Sequence, residues 1–216
     1  KRHTESFLSD NTSQFSQQNN QSNGKTDAIS GNFRFEWKID SLTTIMYRPS
    51  VNFSKGNSNS GSFSETLNNE LIPINQKEAT NRQTNDRFST NGSLQFNRKL
   101  NSKGRNIALR LYYNLDNGNS DRYSLANTYY LKYGDSIKVQ NQWIDNLNRN
   151  HEYRVQLTYM EPVFTNHFIE INYSYQHRSS LSEKYAYDWN DLEDSYSQYP
   201  DTAQSDCYKN KYSIHQ

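Results

Sequence analysis

The sequence predicts an all-β chain: an antiparallel, up-and-down run of about six to seven strands, forming a segment of a larger transmembrane β-barrel. Three observations predict it. Apolar and aromatic residues alternate with polar ones at a period of two, the spacing of a strand whose two faces meet different surroundings. The polar positions include long charged side chains, which a dry interior does not accept without partners. The connections also alternate between short and long, as in barrels with tight turns on one side of a membrane and extended loops on the other.

The first strand is expected at about 31–39, with Phe33, Phe35, Trp37 and Ile39 on one face. A short turn at 40–43 leads to a second strand at about 44–54, extendable to 64, carrying Ile45, Tyr47, Pro49, Val51 and Phe53. Pro49 cannot donate to a ladder, so a bulge is expected there. Strand three, about 86–99, sets Phe88, Thr90, Gly92, Leu94 and Phe96 in line, with Thr90 and Gly92 the two exceptions to an apolar face. Strand four, about 105–116, carries Ile107, Leu109, Leu111, Tyr113 and Leu115. Strand five, about 151–160, carries Tyr153, Val155, Leu157 and Tyr159, and strand six, about 167–177, carries Ile169, Ile171, Tyr173 and Tyr175. The opposite faces hold residues such as Arg34, Glu36, Arg48, Arg110, Arg154 and Glu170. Short turns are expected at 40–43, 101–104 and 161–166, and long polar loops at about 65–85, 117–150 and 178–208. The chain thus divides into 1–30, the end of an extracellular loop and strand; 31–178, three hairpins; and 179–216, a loop and the start of a next strand at about Tyr208.

Composition narrows the function classes. Hydrophobic residues make up 32% of the 216, below the roughly 45–50% of soluble domains, and mean hydropathy is −1.13. Disorder would explain both, but aromatics reach 14%, 17 of them Tyr, at a net charge of only +1, opposite to a disordered composition. With 24 basic and 23 acidic residues there is no electrostatic basis for nucleic-acid binding. Cys207 is the single cysteine, so no internal disulfide forms. No apolar run approaches the roughly 18 residues of a spanning helix, and "KRHTESFLSD" is not a signal peptide.

Two stretches resemble a known family. "FRFEWKIDSLTTIMYRPSVNFS", 33–54, is similar to the strand, "DSL" turn, strand and "RPS" element of TonB-dependent-receptor-like outer-membrane barrels of the Bacteroidetes type. "YMEPVFTNHFIEINYSYQHR", 159–178, resembles a second turn and strand of that family, at Tyr159, Glu161, Pro162, His167, Phe168, Glu170, Asn172, Tyr173 and Tyr175. The resemblance covers about 30–178 and implies fold and outer-membrane placement without implying a substrate. Members carry a carboxypeptidase-like domain, a plug and a TonB-contacting segment ahead of a barrel of about 22 strands. The expectation is therefore a fragment from the middle of a barrel in the bacterial outer membrane. Its implied partners are outer-membrane lipid, and the plug domain and TonB system through other parts of the parent chain. The ligand is unassigned: a glycan, a peptide or a metal chelate.

No catalytic constellation is legible. His3, His151, His167, His177 and His215 are scattered, and there is no nucleophile elbow or phosphate loop. "DNGNSD", 116–121, lacks the order of a calcium loop and reads as a flexible loop base. The expectation is no enzyme, no cofactor and no resident metal. Ligand contacts are expected from aromatic residues on the long loops, Tyr130 and Trp143 in one and Tyr187 and Trp189 in another; the plainer reading is that these loops pack on one another. The expected function is nutrient uptake through a TonB-dependent receptor. The alternatives are a non-transporting surface barrel for adhesion or scaffolding, and a secreted soluble β-sandwich that binds carbohydrate.

Overall fold

A computed structural model describes residues 2–7, 13–132, 136–164 and 167–216. They form one antiparallel sheet with no helix. Its strands are β1 (Arg2–Phe7), β2 (Ser13–Asn32), β3 (Phe35–Lys38), β4 (Thr43–Leu67), β5 (Pro73–Lys99), β6 (Asn106–Tyr130), β7 (Ser136–Phe164), β8 (His167–Asn190), β9 (Ser195–Tyr196) and β10 (Asp206–His215). Pairing runs β1-β2-β4-β5-β6-β7-β8-β10, with β3 also on β4 and β9 on β8. Neighbours in space are neighbours in sequence, as in an up-and-down meander, and β1 and β10 are not joined, so the sheet is open.

The strands far exceed the expected lengths. β4 to β8 run 24 to 29 residues each, or roughly 80–95 Å at about 3.3 Å per residue. The long loops expected at 65–85, 117–150 and 178–208 are mostly strand, and the expected leading loop at 1–30 contains β1 and most of β2. These stretches carry Ser, Thr, Asn and Gln with few apolar groups, so hydrophobic alternation is blind to them. What holds them is the ladder itself: every registered pair between β5 and β6 follows one unbroken register from Asn75–Tyr130 to Lys99–Asn106, and β6 with β7 is as regular.

The turns at both ends are therefore short where they are described, and the expected contrast of tight turns with long loops does not hold. Asn68 closes β4–β5, its Oδ1 accepting from the amides of Glu70 and Ile72. Asn101 closes β5–β6 in the same way with Lys103 and Arg105, and there Gly104 takes φ +106°, a conformation that favours glycine. Asp40 accepts from the Leu42 amide at 2.7 Å and from the Thr43 hydroxyl at 3.2 Å. The tip of the expected turn at 161–166 lies partly outside the described residues. Among the described residues the one longer excursion is 191–205, which carries β9 and folds back beside β8, the Asp201 amide donating to the Ala186 carbonyl at 2.7 Å.

Pro49 corrects a second expectation. No bulge forms: Asn32 pairs Ser50 and Phe35 pairs Tyr47 in the same register, and Pro49 faces Gly92 in an unshifted ladder. The missing amide instead interrupts the partner strand between β2 and β3, where Phe33 still donates to the Pro49 carbonyl at 3.0 Å. The expected strand at 31–39 is thus the end of β2 plus β3.

There is no second layer, so the described residues do not form the sandwich weighed as an alternative. The chain exposes 15462 Å², against about 10,400 Å² for a compact monomer of 25.5 kDa. Only Leu67, Ile74, Ala126, Ile144 and Ala186 are buried hydrophobics among the described residues. Trp37 is 65% exposed, Ile171 61% and Phe53 49%. Along β4 and β5 the polar positions 50, 52 and 54 and 81, 83 and 85 are half-buried, while 51, 53 and 55 and 82, 84 and 86 are exposed. The more open side here carries Val51 and Phe53, and beyond them Lys55, Arg82, Thr84 and Asp86.

Candidate functional site

Strand pairing gathers the exposed apolar residues into a belt. One row across the sheet reads Trp37, Ile45, Phe96, Leu109, Leu157 and Tyr173. The next reads Phe35, Tyr47, Leu94, Leu111, Val155 and Tyr175.

The belt is slanted against these rows. Lys55 is level with Asp86, Asn119, Leu147 and Glu183. The first polar residue above the belt is Lys55 on β4 and Asp86 on β5, but Asn117 on β6, His151 on β7 and His177 on β8. Asn117 stands two residues below Asn119, His151 four below Leu147, and His177 six below Glu183. Six residues at about 3.3 Å give about 20 Å of descent, across four strand spacings of about 4.8 Å each. A belt lying flat therefore meets the strands at about 45°, against the roughly 35–45° tilt of strands in transmembrane barrels. The lower border falls the same way, through Arg98, Arg105, Glu161 and His167. Ile45 to Phe53 spans about 26 Å along the strand, or about 19 Å of depth at that tilt before side chains are added, beside an apolar band of about 25 Å in such barrels.

Several polar atoms within the belt have partners. Tyr47 and Tyr113 share a hydroxyl–hydroxyl bond of 3.0 Å. Gly92 permits it: a Cβ there would sit 2.8 Å from the Tyr113 ring. Thr90 donates to the Ser50 carbonyl at 3.0 Å. The two exceptions on this face thus fit it, one by being small and one by spending its hydroxyl on backbone. Tyr173 meets His215 Nδ1 at 2.8 Å and Tyr175 meets Ser213 Oγ at 3.2 Å. At the lower border Arg105 Nε donates to Glu161 at 2.7 Å, and Tyr159 also donates to that carboxylate.

The opposite face is laced with polar contacts. Arg87 grips Asp116 through two 2.7 Å bonds, Arg154 and Glu152 both reach Gln176 at 2.9 and 3.0 Å, and Gln142 reaches Asp188 at 2.7 Å. Asp116, expected at the base of a flexible loop, is a strand residue in this lattice.

Well above the belt, on the belt's own face, lies an aromatic cluster. Tyr123, Trp143 and Tyr187 occupy one row of β6, β7 and β8. Trp143 stacks on Tyr187 at 4.7 Å and on Tyr123 at 6.5 Å. Tyr196 lies over them, 5.8 Å from Tyr123 and 5.1 Å from Trp189, its hydroxyl donating to Asn141 Oδ1 at 3.1 Å. The Trp143 indole donates to Asp121 at 3.0 Å. So the structure brings together three of the four residues expected to touch a ligand, Trp143, Tyr187 and Trp189, on strands rather than loops. Tyr130 is not with them: it ends β6 on the opposite face, level with Asn75 and Ser136. Tyr123 and Tyr196, which sequence reasoning missed, face a groove of about 620 Å³ with Asn23, Asn59, Gly61, Arg82 and Asn141. Tyr123 shares the odd-numbered face of β6 with Tyr113 and Leu115, but Asn117, Asn119 and Asp121 interrupt the apolar series between them, so alternation does not reach it.

Two titrations outside the belt follow from this packing. Burial, then the phenol of Tyr123, pushes the Tyr196 hydroxyl above its ordinary range. Burial, then Asp121 and Glu183, holds the Asp145 carboxyl above the usual aspartate range. Among the described residues no group of His, Cys, Asp and Glu is arranged to hold a metal ion, and Cys207 is a free, exposed thiol.

No protein-family model matches the chain, and no curated protein is similar enough to count as a relative.

Two predictions follow from these contacts. In protein refolded into a bilayer, Tyr47→Phe or Tyr113→Phe alone leaves one hydroxyl unpaired among apolar groups and costs about 1–3 kcal/mol; the double variant, measured by urea titration, recovers most of that loss. Asp145 has a raised folded pKa, so its ionisation opposes folding fully above that pKa, less as pH falls below it, and not at all below the ordinary aspartate range. Asp145→Asn raises the denaturation midpoint at neutral pH, and the gain disappears in acid.

Proposed function

We propose that the chain is part of the wall of a bacterial outer-membrane β-barrel that takes up a nutrient in a TonB-dependent manner. The slanted belt carries the reading. An exposed apolar patch on a soluble monomer rarely exceeds a few hundred Å², whereas this one crosses every strand from β3 to β8. Hydrocarbon is the solvent that makes such a face favourable, and the barrel-like angle and depth of the belt are what a bilayer selects. The opposite face, rich in Asn, Ser, Gln and paired charges, suits a water-filled lumen wide enough for a plug. In a barrel the ladder groups left open at β1 and β10 pair with further strands, because lipid leaves no backbone group unsatisfied at low cost.

The uptake role rests on the "DSL", "RPS" and "Y-x-E-P" elements, whose Asp40 and Glu161 anchor a turn and a belt border here. The strands also project well past the belt, which gives a large surface outside the membrane for capture.

Leu111→Arg, at mid-belt on β6, lowers stability in bilayers by about 2–4 kcal/mol, while the adjacent Arg110→Gln is close to neutral. Equal tolerance of both changes would exclude hydrocarbon contact. For the role, the full-length protein solubilised from outer membranes is retained on an immobilised periplasmic domain of TonB. A protein that sediments with outer membranes but never binds TonB is a non-transporting surface barrel instead.

A further inference from the structure

The groove beside Tyr123 and Tyr196 belongs to neither the belt nor the opposite face. We infer that it is a saccharide-binding site on the outside of the wall. It lies on the belt's own face, crossing from β2 to β7 at the level of the aromatic cluster, roughly 15–25 Å along the strands from the belt's upper border. Its volume of about 620 Å³ falls within the roughly 300–1,000 Å³ of small-molecule sites.

The lining selects the ligand class. Asn23, Asn59 and Arg82 make no side-chain hydrogen bond to another described residue, so their planar donor and acceptor groups are open to the groove. Paired donors and acceptors at fixed spacing match the vicinal hydroxyls of a sugar ring. Asn59, Arg82 and Tyr123 stand in one row. That row sets a hydrogen-bonding floor beside an aromatic wall, onto which the C–H face of a pyranose can lie. Tyr123 is 45% exposed, yet Trp143 stacks behind it and Tyr196 packs against it. Its ring is therefore held in place before any ligand arrives, which reduces the ordering cost of binding. A single cation in an otherwise uncharged lining does not suit a polyanion. Leu125 is the one aliphatic side chain in that lining, too few for a lipid tail.

Two sources present this chemistry, soluble polysaccharide and the sugar chains of lipids in the adjoining leaflet. Only the second rests on the membrane placement proposed above.

Gly61 provides the test. It lines the groove, and a Cβ there meets nothing within 4 Å, so a side chain can start from this position: Gly61→Trp puts an indole where the ligand would lie, while Gly61→Ser leaves room. The full-length protein in lauryldimethylamine oxide, a sugar-free detergent, is titrated by calorimetry and tryptophan fluorescence. The probes are maltohexaose, xylohexaose and mannohexaose, then smooth lipopolysaccharide against lipid A alone. Saturable binding of a hexasaccharide identifies a soluble glycan. Binding of smooth lipopolysaccharide but not lipid A identifies membrane-borne sugar. Either is expected to weaken at least tenfold in Gly61→Trp and Tyr123→Ala and to survive in Gly61→Ser, with circular dichroism unchanged. No binding of any saccharide, binding indifferent to Gly61→Trp, equal binding of lipid A, or binding only of an uncharged extended decapeptide overturns the inference. Hexasaccharide binding in detergent does not depend on membrane placement, so failure here and failure of the barrel reading are separable.

Discussion

An apolar face needs something other than water against it, and this sheet supplies nothing of its own. Burial is worth about 25 cal/mol per Å² of apolar surface, and the strands from β3 to β8 leave that gain uncollected on one side. Long registers and short turns organise the sheet, but hydrogen bonds exchanged with water contribute little net stability. A single-layer sheet of this size is therefore completed by its surroundings. The constraint explains why Tyr47 and Tyr113 pair their hydroxyls, why Gly92 clears a path for Tyr113, and why charges stop abruptly at Lys55 and Asp86 above and at Arg105 and Glu161 below.

The same constraint divides each strand by height. Within the belt the two faces differ sharply, oily on one side and amide-rich on the other. Above it both faces are mainly polar, and the ladder carries the chain upward with few buried apolar groups, among them Ile74, Ala126 and Ile144. There the aromatic cluster restores local packing where the belt has ended, with Trp143 held between Tyr123 and Tyr187 and anchored to Asp121. The cluster sits over close carboxylates, and the crowding of Asp145 by Asp121 and Glu183 marks stability given up at that level.

Much of the fold was legible in the sequence because the belt writes itself as alternation. Phe35 to Trp37, Ile45 to Phe53, Phe88 to Phe96, Ile107 to Leu115, Tyr153 to Tyr159 and Ile169 to Tyr175 read directly as strand segments with their apolar residues on one face. What lies above the belt was not legible, since "SGSFSET" or "NRQTND" shows no hydrophobic period whether it is strand or loop. The turn at Asn68 carried the needed signal, an Asn able to cap its own hairpin, but it was submerged in a polar stretch taken as loop. Of the aromatic residues, Trp143, Tyr187 and Trp189 stood out by size. Tyr196 joins them only because the 191–205 excursion folds back, which no local pattern encodes.

Spin-label power saturation along β6 at positions 107 to 119, with the protein in a bilayer, tests hydrocarbon contact most directly. Odd positions from 107 to 115 should be reached by oxygen and shielded from a water-soluble nickel chelate, with even positions reversed and the contrast gone by Asn117. With the same scan on β7 and β8, the deepest position should shift by one to two residues per strand in the direction the belt slants. Nickel access equal at odd and even positions, or a depth profile level with the hydrogen-bonded rows, would contradict it.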